Sequence, residues 1–166
     1  MNYAYVMKRI VGLFLLASLT VFLVQPANGA DTIPEFSLSA AVDGKTVTSG
    51  DFKGKVLLVT FFATWCPPCR QEIPTLIKLQ KEFAPKGFSV VGLSVDEKGP
   101  SVVVKLINKE NINYPVLMAD RGTARDFGGI AGIPTSFLIN RQGEVVRRYP
   151  GYVPHALLEK DIKSIL

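Results

Sequence analysis

Strand-like and helix-like runs alternate along this chain and predict an α/β fold, a central mixed sheet flanked by helices. Three observations carry that expectation. Val56 to Phe62, "VLLVTFF", is apolar on both parities and mostly β-branched or aromatic, which suits a central strand buried on both faces. A helical spacing of apolar residues starts immediately downstream at Pro67, and the strand and helix patterns then repeat. The 166 residues are 48% hydrophobic and 20% charged, which is ample for one core and too little for two large ones.

The N-terminus stands apart from this pattern. Lys8 and Arg9 precede fifteen mostly apolar residues, Ile10 to Val24, and then Gln25-Pro26-Ala27-Asn28-Gly29-Ala30. A basic segment, an apolar segment and small residues at a cut site are the order of a secretory signal, so residues 1–29 are expected to be a signal peptide and residues 31–166 the folded domain. The alternative is an uncleaved membrane anchor through residues 10–24, because the run extended to Ala30 is long enough to span a thinned bilayer. Either way the domain is expected outside the cytoplasm, in the periplasm or an equivalent compartment.

Of the nineteen basic residues, Lys8 and Arg9 belong to that segment, which leaves seventeen against fourteen acidic ones and a net charge of +3. Such a balance, without any basic cluster interleaved with aromatics, does not point to nucleic acid.

Within the domain, "PEFSLSAAVDGKTVT" has short alternating runs around Asp43-Gly44 and predicts an N-terminal hairpin. After the Val56 strand, apolar residues at Ile73, Leu76, Ile77, Phe83 and Ala84 predict a helix from Pro67 to about Ala84, bent where Pro74 removes an amide donor. Phe88 to Val95 reads as a strand, Ser101 to Lys109 as a helix, Val116 to Met118 as a short strand and Gly122 to Phe127 as a short helix. Strands at Thr135 to Ile139 and Glu144 to Tyr149 flank the turn Asn140-Arg141-Gln142-Gly143, and Pro154 to Leu166 closes the chain as a helix.

The chain's only two cysteines lie in "FFATWCPPCRQEIP" at the mouth of the first helix. Pro67 and Pro68 fit there because first-turn amides have no intrahelical partner to lose. Helical geometry puts Cys66 and Cys69 on one side of that turn, where the unpaired amides and the helix dipole favour a thiolate at Cys66. Cys66 is thus the expected nucleophile. Cys69, further into the helix and more buried, would resolve a mixed disulfide. A purely structural bridge is the weaker reading, because closing a four-residue loop removes only about 2 kcal/mol of denatured-state entropy against about 3 for fifteen residues.

No metal is expected, since a zinc site would need ligands beyond two cysteines and His155. Covalent haem attachment calls for a histidine where Arg70 stands. His155 itself reads as a solvated first-turn residue.

Taken with the downstream stretch "GGIAGIPTSFLINRQGEVV", these residues resemble the TlpA/ResA-like thiol–disulfide oxidoreductases of the thioredoxin superfamily, a likeness covering most of residues 31–166. The resemblance implies a thioredoxin fold with an N-terminal β extension and a helical insert before a cis-proline. It implies that Trp65 shields the nucleophile, that Pro134 is that cis-proline facing the dithiol, and that Trp65, Pro67 and Ile133 meet the partner. The Ile133 backbone would then pair with an extended peptide.

Glu72 occupies the place of a family acid that tunes proton transfer, and the bland alternative is a solvated glutamate beside Arg70 and Gln71. Thioredoxins proper carry a buried aspartate where this chain has Thr60, so a relay through that position is not expected.

The implied activity is reduction of disulfides in partner proteins, with cytochrome c maturation as one setting, a membrane electron-donor protein as the source of electrons, and no cofactor besides the Cys66–Cys69 dithiol. Competing readings are a peroxiredoxin-like thiol peroxidase, against which Ala63 stands where such enzymes carry threonine, and a redox-inactive peptide-binding module. Export also leaves an oxidase direction open, because direction depends on the potential relative to the partners.

Overall fold

The computed structural model describes residues 32–166. The signal or anchor segment expected at residues 1–29 lies outside the described residues. No helix among the described residues is long and apolar enough to cross a membrane.

Two short antiparallel strands, β1 (Ser37–Ser39) and β2 (Thr46–Thr48), form the N-terminal hairpin. Its loop is longer than a tight Asp43-Gly44 turn. Ala40 donates to Lys45 across the loop, while Ala41 donates to Val116 and Ala40 bridges Leu117, so the loop's backbone is committed to the edge of the main sheet. Gly44 takes the positive φ, 70°, that the loop requires.

A 3-10 turn at Ser49–Phe52 leads to β3 (Val56–Phe62), followed by α1 (Pro67–Phe83), β4 (Phe88–Ser94), α2 (Pro100–Glu110), β5 (Val116–Met118), α3 (Arg121–Asp126), β6 (Thr135–Ile139), β7 (Val145–Pro150) and α4 (His155–Lys163). Each lies within a few residues of its sequence expectation; the last helix stops at Lys163 rather than Leu166. The five-stranded sheet has the order β5-β4-β3-β6-β7, with β3, β4 and β5 parallel and β6 and β7 antiparallel to their neighbours. This is the mixed sheet expected.

β3 is buried along its whole length. Its even-numbered residues Val56, Leu58 and Phe62 join a core with α1, α2 and α4, through Ile73, Leu76, Leu79, Phe83, Val103, Leu158 and Ile162. The odd-numbered Leu57, Val59 and Phe61 face a second core with Phe36, Leu38, Phe52, Phe127 and Phe137. Alternation on a pleated strand divides the two sets, and α1, α2 and α4 on one face and the hairpin with α3 on the other keep both dry.

Thr60 has even parity and lies on the α1 face, 2% exposed. Its Oγ1 accepts a 2.9 Å hydrogen bond from Ser136 Oγ, its direct neighbour across β6. This pairing lets two hydroxyls be buried where an ionisable group would meet a desolvation cost.

α1 continues through Pro74. The proline lies on the exposed side of the helix, so the carbonyl of Arg70 that loses its amide partner faces water.

Candidate active site

Strand β3 ends at Phe62, and after three intervening residues the chain enters α1 at Cys66, the N-cap, with φ −89° and ψ 111°. Pro67 and Pro68 occupy the first two helical positions, where their missing amides cost no intrahelical bond. The first amide available to turn back, that of Cys69, donates to Cys66 Sγ at 3.3 Å. Cys66 and Cys69 are joined by a disulfide, with their Cα atoms 5.3 Å apart.

Burial does not separate the two cysteines, since each is only 3% exposed. The expectation that Cys69 is the more buried is therefore corrected. What separates them is position, because only Cys66 combines the cap with an amide directed at its sulfur.

The loop before β6 comes up to the same sulfur. The Ile133–Pro134 peptide bond is cis, and the Ile133 carbonyl oxygen lies 3.7 Å from Cys66 Sγ. Pro134 is buried and its carbonyl accepts from the Gly151 amide at 2.8 Å, tying the loop to the end of β7. Thr135 Oγ1 closes the loop by donating to the Gly132 carbonyl at 2.7 Å.

Trp65 is 67% exposed and stands at the surface, while the adjacent Cys66 is only 3% exposed. Pro67 lies on the surface beside Arg70, Gln71 and Glu110.

Glu72 is not the solvated glutamate of the bland alternative. It is 1% exposed, on the core side of α1, and its Oε1 accepts the Val153 amide at 3.0 Å. Burial raises its pKa to about 7, and the Val153 amide only partly offsets this by favouring the charged form. Burial, and secondarily the same carboxylate, pushes the Tyr114 hydroxyl well above the ordinary tyrosine range. Helical offset places Glu72 on the Cys69 side of α1. The helix that begins at the cysteines thus also carries a buried acid whose pKa burial raises to about 7.

His155 lies at the start of α4, with Nε2 3.6 Å from Glu159 of the same helix. Among the described residues no group of three or more His, Cys, Asp and Glu is placed to hold a metal. A cleft of about 480 Å³, lined by Phe52, Lys53, Asn140 and Arg141 among others, contains neither cysteine. It lies where β3 begins, at the pole opposite the dithiol.

The Redoxin family profile matches residues 28–166, so it covers the dithiol, the cis-proline and both cores. The chain belongs to the Redoxin family. Among its relatives the thiol-disulfide oxidoreductase ResA of Bacillus thuringiensis is 32% identical over 125 residues, 75% of this chain and 71% of that protein. The thioredoxin-like protein YneN of Bacillus subtilis is 32% identical over 130 residues, 78% of this chain and 75% of the relative. A crystal structure of a thiol:disulfide interchange protein of the thioredoxin family, from Chlorobium tepidum, superposes with a TM-score of 0.74 at 41% identity, covering 81% of this chain and 94% of that one.

As a Redoxin of ResA type, with a Cys-X-X-Cys disulfide at the start of α1, the chain is a thiol-disulfide oxidoreductase with a thioredoxin-like fold. Disulfide-containing proteins are the substrate class that this activity implies.

Several partners of this Redoxin site leave no mark in the sequence. Val153 contributes a backbone amide, Tyr114 approaches Glu72 from beyond α2, and Ser136 meets Thr60 across the sheet. Only a polar residue at an apolar strand position, as at Thr60, carries a local signal that a partner must exist.

Proposed function

We propose that this Redoxin works outside the cytoplasm as a reductant of disulfides in partner proteins. Cys66 is the attacking thiol, Cys69 the resolving thiol and Glu72 the group that exchanges protons with the dithiol. The observation that carries the reading is the placement of Cys66 Sγ, which receives the Cys69 amide at the start of α1 and lies 3.7 Å from the Ile133 carbonyl.

In the reduced protein, the Cys69 amide and the helix dipole favour the Cys66 thiolate. It attacks one sulfur of the partner's disulfide, forming a mixed disulfide and releasing the other sulfur as a thiolate that takes up a proton. Cys69 gives up its proton and attacks Cys66 Sγ, which closes the Cys66–Cys69 bond and releases the second partner sulfur. Two electrons pass from the dithiol to the partner. A carboxyl with a pKa of about 7 can take the Cys69 proton and return it at neutral pH, which Thr60 cannot do.

Beside Cys66, Ile133 and the buried Pro134 present backbone against which an extended partner segment can lie, with Trp65 and Pro67 on the exposed rim. Recharging then falls to a membrane electron-donor protein, and cytochrome c maturation is a setting that needs such a reductant. The basic, apolar and small-residue order of residues 1–30 supports export, with the segment either cleaved or retained as an anchor.

Trapping tests this assignment. Cys69→Ser should accumulate a mixed disulfide through Cys66 that reductant releases, while Cys66→Ser should abolish exchange. The measured potential of the couple should lie well below about −120 mV, the value of the strong oxidant DsbA, and a value near it would overturn the reductant reading in favour of an oxidase.

A further inference from the structure

The short segment that delivers Cys66 to its helix is held from the neighbouring strand end by a single side chain. Asp96, two residues beyond β4, is 6% exposed. Its Oδ2 accepts the Thr64 amide at 2.9 Å, and its Oδ1 accepts the Thr64 hydroxyl at 2.6 Å. Oδ2 also accepts from Ser94 Oγ at 2.9 Å, and Ser94 Oγ accepts the Asp96 amide at 3.2 Å, so the carboxylate is itself held in place.

We propose that Asp96 is a positioning residue for Cys66: by gripping both donors of Thr64 it holds the Thr64-Trp65 turn so that Cys66 Sγ stays at the Cys69 amide and opposite the Ile133 carbonyl. The inference rests on Cys66 being the attacking thiol.

Geometry gives the clamp its leverage. Thr64 lies two residues before Cys66, and the other tie of this segment is the Cys66 amide donating to Ala63 at 3.2 Å, which is a contact within the segment itself. β4 supplies an external anchor, because the Val95 amide continues the ladder to the Phe62 carbonyl at 2.9 Å and fixes the backbone from which Asp96 projects. Among the described residues Asp96 has no ion pair, so its donors are these neutral groups, and bonds to an ionised acceptor are roughly twice as strong as neutral ones.

Asp96 also lines a cleft of about 500 Å³ with Trp65, Val95, Glu97 and Lys98, so the same grip sets where the exposed indole stands. The tie matters most in the reduced protein, where the disulfide no longer limits the position of Cys66. A misplacement of about 1 Å can cost on the order of 100-fold in rate.

The test uses Thr64→Val, Thr64→Ser and Asp96→Ala in the reduced protein. Readouts are the rate of reaction with the disulfide probe 5,5′-dithiobis(2-nitrobenzoate) and the pH dependence of Cys66 alkylation by iodoacetamide. Thr64→Val, which loses only the hydroxyl bond, should react several-fold more slowly, Thr64→Ser should match the unmodified protein, and Asp96→Ala should lose about 10- to 100-fold.

The direction of the alkylation midpoint is diagnostic. Removing an anion by itself lowers the pKa of a nearby thiol, whereas moving the sulfur away from the Cys69 amide raises it. An upward shift in Asp96→Ala and Thr64→Val supports positioning. A downward shift in Asp96→Ala, or unchanged rates in both variants whatever their melting temperatures, would overturn it. The unmodified chain and Cys66→Ser run alongside: an inert unmodified chain, or reactivity that survives in Cys66→Ser, would count against Cys66 as the nucleophile rather than against Asp96.

Discussion

Glu72→Gln should remove a distinct component of the pH dependence of folding. The Glu72 carboxyl titrates at about 7 in the folded chain, against 4.5 when solvated. Below the lower value it is protonated in both states and contributes no difference. Between the two, the folded chain keeps a proton that the unfolded chain releases, so unfolding free energy falls as pH rises. Above about 7 both states are ionised and the loss levels off. The gap of about 2.5 pH units, at about 1.4 kcal/mol per unit, makes that loss about 3 kcal/mol.

Glutamine keeps an oxygen for the Val153 amide but does not titrate. Its buried NH2 lacks an evident partner and adds a destabilising offset of about 1–3 kcal/mol that does not vary with pH. Urea unfolding of the oxidised protein and of Glu72→Gln, from pH 4 to 9, separates the two effects. The stability of the variant relative to the unmodified chain should rise by about 3 kcal/mol across that range, with most of the change between pH 4.5 and 7. Parallel profiles would refute the desolvated carboxyl. If Glu72 also exchanges protons with the dithiol, the variant's disulfide-exchange rate should lose an inflection near pH 7.

Other expectations concern the two cores. Thr60→Val leaves the Ser136 hydroxyl buried without its acceptor and should cost about 1–3 kcal/mol, while adding Ser136→Ala should recover most of it, as chemical denaturation of the single and double variants would show. Phe61→Ala removes a ring 5.2 Å from Phe127 and 6.2 Å from Phe137, and a loss of about 3–5 kcal/mol is expected. Because Phe61 faces the core away from α1, exchange measured per folded molecule should stay the same; a drop comparable to that of Cys66→Ser would contradict the two-core division.

The elements nearest the dithiol were legible for a local reason. β3 declares itself by apolar residues on both parities, α1 by its period and by prolines placed where amides are spare, and Cys66 by its place at the junction. Each of these depends on residues within one or two turns of each other. The hairpin was legible as a hairpin, but its loop length was not, because the loop bonds to Val116 and Leu117 some 75 residues away. The cis bond at Pro134 rested on the family resemblance, since X-Pro bonds are cis in only about 5–6% of folded cases.

Charge and exposure at the site belong to the assembled molecule. Spacing along α1 could put Glu72 on the Cys69 side, but its pKa comes from losing water among groups that include Tyr114, with Val153 81 residues away supplying the one amide. Equal burial of the two cysteines, the open face of Trp65 and the grip of Asp96 on Thr64, 32 residues earlier, likewise arise only when separate segments close around the same few atoms. Hydrogen bonding and hydrophobic periodicity within an element act over a few residues and are written in sequence. Desolvation and long-range pairing depend on which surfaces finally meet, and here those meetings set the burial of Glu72 and of both cysteines.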